Sequence, residues 1–176
     1  NNHIHDTGKL EGHGGGLTLT GTNCTARYNK IDHTGRGALS IGSGKSQLAA
    51  LPSAHVGLYC EGGWISMANV RQFISGRNSS ANFNEISHAN LDSSDMGLFY
   101  NWGGGIDVDV KNNYFHDSDI RLQFGYCIYL DDASDMYTLQ NNIIESMQMI
   151  GGGRVDSMIF MKGVGNKAIN NYMVNN

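Results

Sequence analysis

Apolar and polar residues alternate along this chain in short runs broken by glycine. The runs are LTLTG (17–21), ALSIG (38–42), IDVDV (106–110), IYL (128–130) and MIFMKG (158–163). A period of two is the pattern of strands with one buried face. Long stretches of Leu, Ala, Glu and Lys are missing, which argues against helix.

A longer period organises these runs. An Asn followed two residues later by an apolar residue recurs as Asn2/Ile4, Asn29/Ile31, Asn84/Ile86, Asn113/Phe115, Asn142/Ile144 and Asn171/Met173. The asparagines are 27, 55, 29, 29 and 29 residues apart. The step of 55 predicts a repeat distorted or lost between Asn29 and Asn84. Residues 46–72 break the pattern and hold the single proline, Pro52, so they are expected to form an irregular coil with a loop insertion. A second column, Ala26, Ala81, Val110, Leu139 and Ala168, lies three residues before each of the last five asparagines.

Fixed periods of this kind mark repeat architectures. The leucine-rich pattern LxxLxLxxN is absent, and a propeller blade needs roughly 40 residues or more. The reading is an all-β, right-handed parallel β-helix of about six to seven coils of 27–29 residues, a single domain over 1–176. The apolar members of the repeat form its core. The Asn column is structural: Asn tolerates a left-handed corner, and stacked amides bond from coil to coil. Both termini fall inside a repeat motif without a cap, so the segment is expected to belong to a longer chain, to abut flanking domains or to assemble end to end.

Composition narrows the partners. Only 16% of the 176 residues are charged and the net charge is −4, which speaks against an electrostatic grip on nucleic acid or an anionic membrane. No apolar run approaches membrane-spanning length. Cys24, Cys60 and Cys127 have no metal-ligand spacing and read as small buried apolar residues. Asn23-Cys24-Thr25 and Asn78-Ser79-Ser80 are formal glycosylation sequons, meaningful only in a secreted eukaryotic protein. Gly42-Ser43-Gly44-Lys45-Ser46 mimics a phosphate loop, but Leu39 stands where its first glycine belongs.

The candidate chemistry lies late in the chain. Stacking Leu98, Ile128 and Ile159 as inward positions places Phe99, Tyr129 and Phe160 in one outward column and Asn101, Asp131 and Lys162 in the next. An aromatic strip beside polar groups suits a sugar, whose C–H face meets a ring while its hydroxyls meet carboxylate and amide. Trp102 in the same stretch is a further substrate-binding candidate. Asp95 ends the polar turn LDSSD (91–95) and enters the strand beside 128–131, so Asp95 and Asp131 are expected to face one groove within about 5–10 Å, one coil rise or two. Paired carboxylates of this kind perform glycoside hydrolysis, with one protonated and one ionised. His5, His33, His88 and His116 follow the Asn column by three or four residues and read as a recurring polar turn outside the core. His88 and His116 are the first candidates among them to reach the groove.

Asp95-Met96-Gly97-Leu98-Phe99-Tyr100, Tyr114-Phe115-His116-Asp117 and Cys127-Ile128-Tyr129-Leu130-Asp131-Asp132 resemble motifs of carbohydrate-active β-helix proteins. They are closest to the glycoside hydrolase family that includes α-L-fucosidases and xylanases. The resemblance covers most of 76–176 and, more loosely, 1–45. It implies a polysaccharide or oligosaccharide substrate, Asp95 and one of Asp131 and Asp132 as catalytic carboxylates, no cofactor, and a secreted, cell-surface or periplasmic location. Strand alternation favours Asp131. Cys127 stands where that family usually has glycine. Two alternatives remain. One is a polysaccharide lyase with Lys162, Arg154 or Arg121 as base and Ca²⁺ held by Asp131, Asp132 and Asp135. The other is a non-enzymatic surface or fibre protein.

Overall fold

A computed structural model describes residues 1–9, 14–41, 59–60, 63–64, 76–132, 134–149 and 157–174. Every regular element among them is a strand. The chain passes through β1 (His3–Thr7), β2 (Leu17–Leu19) and β3 (Thr25–Arg27), then β4 (Lys30–Thr34) and β5 (Leu39–Ile41). A short antiparallel pair, β6 (Tyr59–Cys60) and β7 (Gly63–Trp64), precedes β8 (Ser80–Asn82). Then come β9 (Glu85–Ser87), β10 (Met96–Asn101) and β11 (Val108–Lys111), followed by β12 (Tyr114–Ile120), β13 (Gly125–Leu130) and β14 (Tyr137–Gln140). The last elements are β15 (Ile143–Met149), β16 (Ile159–Met161), β17 (Lys167–Ile169) and β18 (Tyr172–Val174).

These strands wind into a β-solenoid with three parallel sheets. One sheet has the order β1-β4-β9-β12-β15-β18, the second β2-β5-β10-β13-β16 and the third β3-β8-β11-β14-β17. Each turn of chain adds one strand to each sheet, so residues about 29 apart in sequence become neighbours in space.

The repeat positions form the interior. Ile31, Ile86, Phe115 and Ile144 are fully buried, as are Ala81, Val110 and Leu139, with Ala26 nearly so. At the two ends the columns lose cover: Ile4 is partly buried, while Ala168 and Met173 are exposed. Cys127 is buried and its thiol pKa is pushed well up by burial; Cys24 is half-buried, and both are free. The Cys60 side chain lies outside the described residues, as do residues 42–58 with the phosphate-loop mimic and Pro52.

The Asn column is a continuous ladder. Nδ2 of Asn2, Asn29, Asn84, Asn113 and Asn142 each donates to Oδ1 of the next asparagine at 2.9–3.0 Å. The backbone N–H of each donates to that same oxygen. From Asn84 onward the second amide proton goes to a backbone carbonyl, as from Asn113 to Ala81. Buried amides are thereby paired with amides rather than left to pay the cost of desolvation. The left-handed corner falls one residue earlier than the sequence suggests. Tyr28, Phe83, Asn112, Asn141 and Asn170 have φ between 51° and 56°, and the ladder asparagines do not.

The step of 55 has a simple origin. Asn29 bonds directly to Asn84, Ala26 pairs with Ala81 and Ile31 with Ile86. Among the described residues no rung of these sheets lies between them. The reading of 46–72 as an irregular coil with a loop insertion falls outside the described residues, apart from 59–60 and 63–64.

Candidate functional site

The second sheet carries the candidate site on its outer face. Thr18 pairs with Ser40, Tyr100 with Tyr129 and Tyr129 with Phe160. Leu39 pairs with Phe99, which puts Ser40 beside Tyr100. The outward column therefore reads Thr18, Ser40, Tyr100, Tyr129, Phe160. Phe99 is not in it. Leu98 and Phe99 both enter the core, as do Cys127 and Ile128 beside them, so strict alternation fails at that point in both strands. A register set by Leu98 against Ile128 is consequently one residue out. Phe99 and Asn101 are fully buried instead of facing a ligand. Asn101 Nδ2 donates to the Gly104 carbonyl at 2.6 Å and lies 3.1 Å from Ser134 Oγ. The outward aromatic of β10 is Tyr100, which the sequence reading left in its motif without a role.

Asp95, Asp131 and Asp132 line one open hollow of about 500 Å³, together with Arg36, Ser94, Tyr100, Trp102, Tyr129 and Lys162. Asp95 reaches it from a left-handed corner (φ 52°) and is exposed. Phe124 occupies the equivalent corner beside it, with φ 58°. Asp131 is only 7% exposed and heavily bonded. Its Oδ2 accepts from the Tyr100 hydroxyl at 2.9 Å. Its Oδ1 accepts from Lys162 Nζ at 2.7 Å and from the Asp132 backbone N–H at 2.7 Å. Asp132 is exposed and lies 3.4 Å from the same ammonium.

The electrostatics follow from these contacts. Burial opposes ionisation of Asp131, but bonds from Lys162, the Asp132 amide, Tyr100 and Tyr129 outweigh it and hold the carboxyl pKa below its ordinary value. Lys162 is raised, chiefly by its bond to Asp131. Burial, with the Asp131 and Asp95 charges adding to it, pushes both the Tyr100 and Tyr129 phenols up, so each stays protonated. The site thus holds one carboxylate firmly ionised, one protonated amine and two neutral phenols near neutral pH. Tyr129 packs edge-on to Tyr100 at 5.2 Å and stacks on Phe160 at 5.2 Å, and Lys162 sits over both Tyr129 and Phe160. Trp102 leaves 38% of its surface exposed at the rim.

Arg36, Ser94 and Tyr100 were not foreseen. Arg36 precedes β5 in a part of the chain remote in sequence from the acids, and only the sheet order brings it in. Its Nη1 is 3.1 Å from Ser93 Oγ. The histidines expected in the groove are elsewhere. His88 follows β9 and stacks on His33 with ring centroids 4.8 Å apart; His116, on β12, stacks on Tyr114 and bonds Asp117. His116 is in the first sheet and His88 follows one of its strands, and neither lines the hollow.

The three acids named for Ca²⁺ have other partners in this structure. Asp135 turns away and accepts the Val164 N–H at 2.7 Å, and the Lys162 ammonium already sits between Asp131 and Asp132. No group of three His, Cys, Asp or Glu suited to a metal occurs among the described residues. Arg121 pairs with Asp92 at 3.3 Å, and Arg154 lies outside the described residues. Among the described residues no helix is long and apolar enough to cross a membrane. Comparison of the chain with protein-family models, curated proteins and solved structures finds no match.

Proposed function

We propose that the hollow binds a glycan and that the protein is a glycoside hydrolase acting through Asp95 and Asp131. The observation that carries this reading is that both carboxylates open onto one hollow walled by Tyr100, Trp102 and Tyr129. Rings give a sugar its apolar contact, and neutral phenols and carboxylates give it hydrogen bonds. The solenoid is read as right-handed, the hand that parallel crossovers take in about 98% of cases.

Asp131, held ionised, is the carboxylate that faces developing positive charge at the anomeric carbon or takes the proton of an attacking water. Asp95, which opens onto the same hollow, is the group assigned to give the proton to the glycosidic oxygen as the C–O bond breaks. The water oxygen joins the anomeric carbon, and its proton ends on the base. Tyr100 and Lys162 hold Asp131 in place. The lyase alternative needs a neutral amine as base, and the bond to Asp131 favours the protonated form of Lys162. The reading places the protein where extracellular glycans are met, secreted, on a cell surface or in a periplasm.

The test is release of reducing sugar from a glycan panel by the wild type, Asp95→Asn and Asp131→Asn. Each substitution is expected to lower the rate by at least about 10²-fold. Full activity in both variants, or a wild type inert on every glycan, removes the proposal and leaves the solenoid as a rod.

A further inference from the structure

A second, smaller cleft adjoins the hollow. It measures about 160 Å³ and is lined by Gly15, Thr18, Arg36, Gly37, Ser40 and Tyr100, with Leu39 and Met96. Arg36 and Tyr100 line both spaces, so together they form the partition between them. The cleft exists because the outward column changes character. Where β10, β13 and β16 present Tyr100, Tyr129 and Phe160, β2 and β5 present only Thr18 and Ser40. Two of its glycines let neighbouring rungs approach closely: a Cβ on Gly15 would come within 2.8 Å of the Gly37 carbonyl, and one on Gly37 within 2.8 Å of the Gly97 carbonyl.

Resting on the hydrolase reading, we infer that this cleft is a second sugar subsite, and that the substrate is a chain laid along the solenoid axis across successive rungs. The chemistry matches one ring. The space is well below the roughly 300 Å³ at which pockets for larger ligands begin, while the hollow is above it. Two hydroxyls, Thr18 and Ser40, and the Arg36 guanidinium offer donors and acceptors to sugar hydroxyls, and Met96 offers an apolar contact. From Thr18 to Tyr129 the column spans three rung spacings, about 14 Å, so one linear oligosaccharide covers both spaces. The proposed substrate class is therefore an oligosaccharide or polysaccharide engaged through at least two adjacent sugars, not a lone terminal residue.

The experiment titrates the wild type, Ser40→Tyr and Ser40→Ala with one- to four-unit series of xylo-, manno- and galacturono-oligosaccharides, read by isothermal titration calorimetry. Ser40→Tyr places in β5 the residue β10 carries, so the sheet accepts it while the cleft fills. In one series the wild type is expected to bind the longer sugars about tenfold tighter than the monosaccharide, the worth of one or two hydrogen bonds. Ser40→Tyr is expected to reduce that ratio to within about twofold, and Ser40→Ala, which loses one hydroxyl but leaves the cleft open, to an intermediate value. A wild type that binds monosaccharide with no gain on lengthening overturns the subsite and spares the hydrolase reading. An undiminished ratio in folded Ser40→Tyr does the same. No binding in any series overturns both.

Discussion

Lys162 Nζ lies 2.7 Å from Asp131 Oδ1, joining two rungs through an ion pair whose carboxylate is buried and whose amine is one-third exposed. The inequality fixes what each partner does. Asp131 depends on the bond to remain ionised in a buried place, while Lys162 reaches solvent.

Lys162→Met removes the cation and keeps the stem. It is expected to cost about 1–2 kcal/mol at pH 7, the worth of a charge-assisted bond discounted for partial exposure. The pH dependence identifies the source. The Asp131 pKa is lowered in the fold, so its stabilisation is present above the unfolded value of about 3.9 and is lost as pH falls through the lower folded value. The Lys162 pKa is raised, so its contribution is complete below about 10.4 and is lost only as pH rises through the raised value. Urea unfolding across pH 2–7 should therefore show a steeper acid loss in the wild type than in the variant. Parallel curves would refute the pairing.

Phe99 and Phe160, which simple alternation puts in one outward column, part company: Phe99 is buried in the core and only Phe160 faces outward. Phe99→Ala should cost about 3–5 kcal/mol, because the ring is fully buried and its removal leaves a cavity between β10 and Tyr137. Phe160→Ala, at a half-buried outward position, should cost about half that or less. Urea midpoints decide it, and equal losses would contradict the register.

The ladder gives a third expectation. Asn113 Oδ1 accepts both the backbone N–H and the side-chain amide of Asn84, and its own amide donates to Ala81 and Asn142. Asn113→Ala strands the two Asn84 donors in the interior, a loss of at least about 2 kcal/mol. Asn170→Ala breaks a single exposed bond to Asn141 and puts alanine at a left-handed corner (φ 51°), and should cost about 1 kcal/mol. Thermal unfolding of the two variants tests the contrast.

The architecture was legible because a solenoid writes its geometry into the sequence. Parallel stacking forces Asn29, Asn84, Asn113 and Asn142 into one column, and any column is readable once its period is seen. Spacing alone does not explain the long step; the Asn29–Asn84 bond shows its two ends on adjacent rungs. The site was half legible. Asp95, Asp131, Tyr129, Trp102 and Lys162 emerged from alternation and motif and share the hollow. Phe99 and Asn101 were misplaced because two successive residues of β10, Leu98 and Phe99, both turn inward, which no alternation rule anticipates. His88 and His116 were misassigned because the repeat shows which column a residue joins but not which sheet faces the acids. Arg36 required the sheet order itself, since β5 and β10 are neighbours in space but far apart in the chain.

Tyr137 links the interior to the site rim. Its ring is fully buried, and its hydroxyl lies 3.0 Å from the Ile41 carbonyl and 3.2 Å from that of Gly104. Burial pushes the phenol pKa well up, so the proton stays available for donation. Gly104 belongs to the Gly103–Gly105 turn that follows Trp102, and Asn101 Nδ2 anchors the same Gly104 carbonyl. Tyr137→Phe should cost about 1–2 kcal/mol by leaving the Ile41 carbonyl without that donor, while Asn101 still holds Gly104. Trp102 fluorescence, read for Tyr137→Phe and for Gly105→Ala in a Trp64→Phe background, should change little in the former, since its turn keeps one anchor. Gly105→Ala attacks the same turn differently. Its φ of +103° disfavours a side chain, and the added Cβ would lie 2.6 Å from two Tyr137 ring carbons. It should cost more than Tyr137→Phe and shift Trp102 emission. Unshifted emission together with wild-type stability in Gly105→Ala would show that the ring does not set the position of this rim.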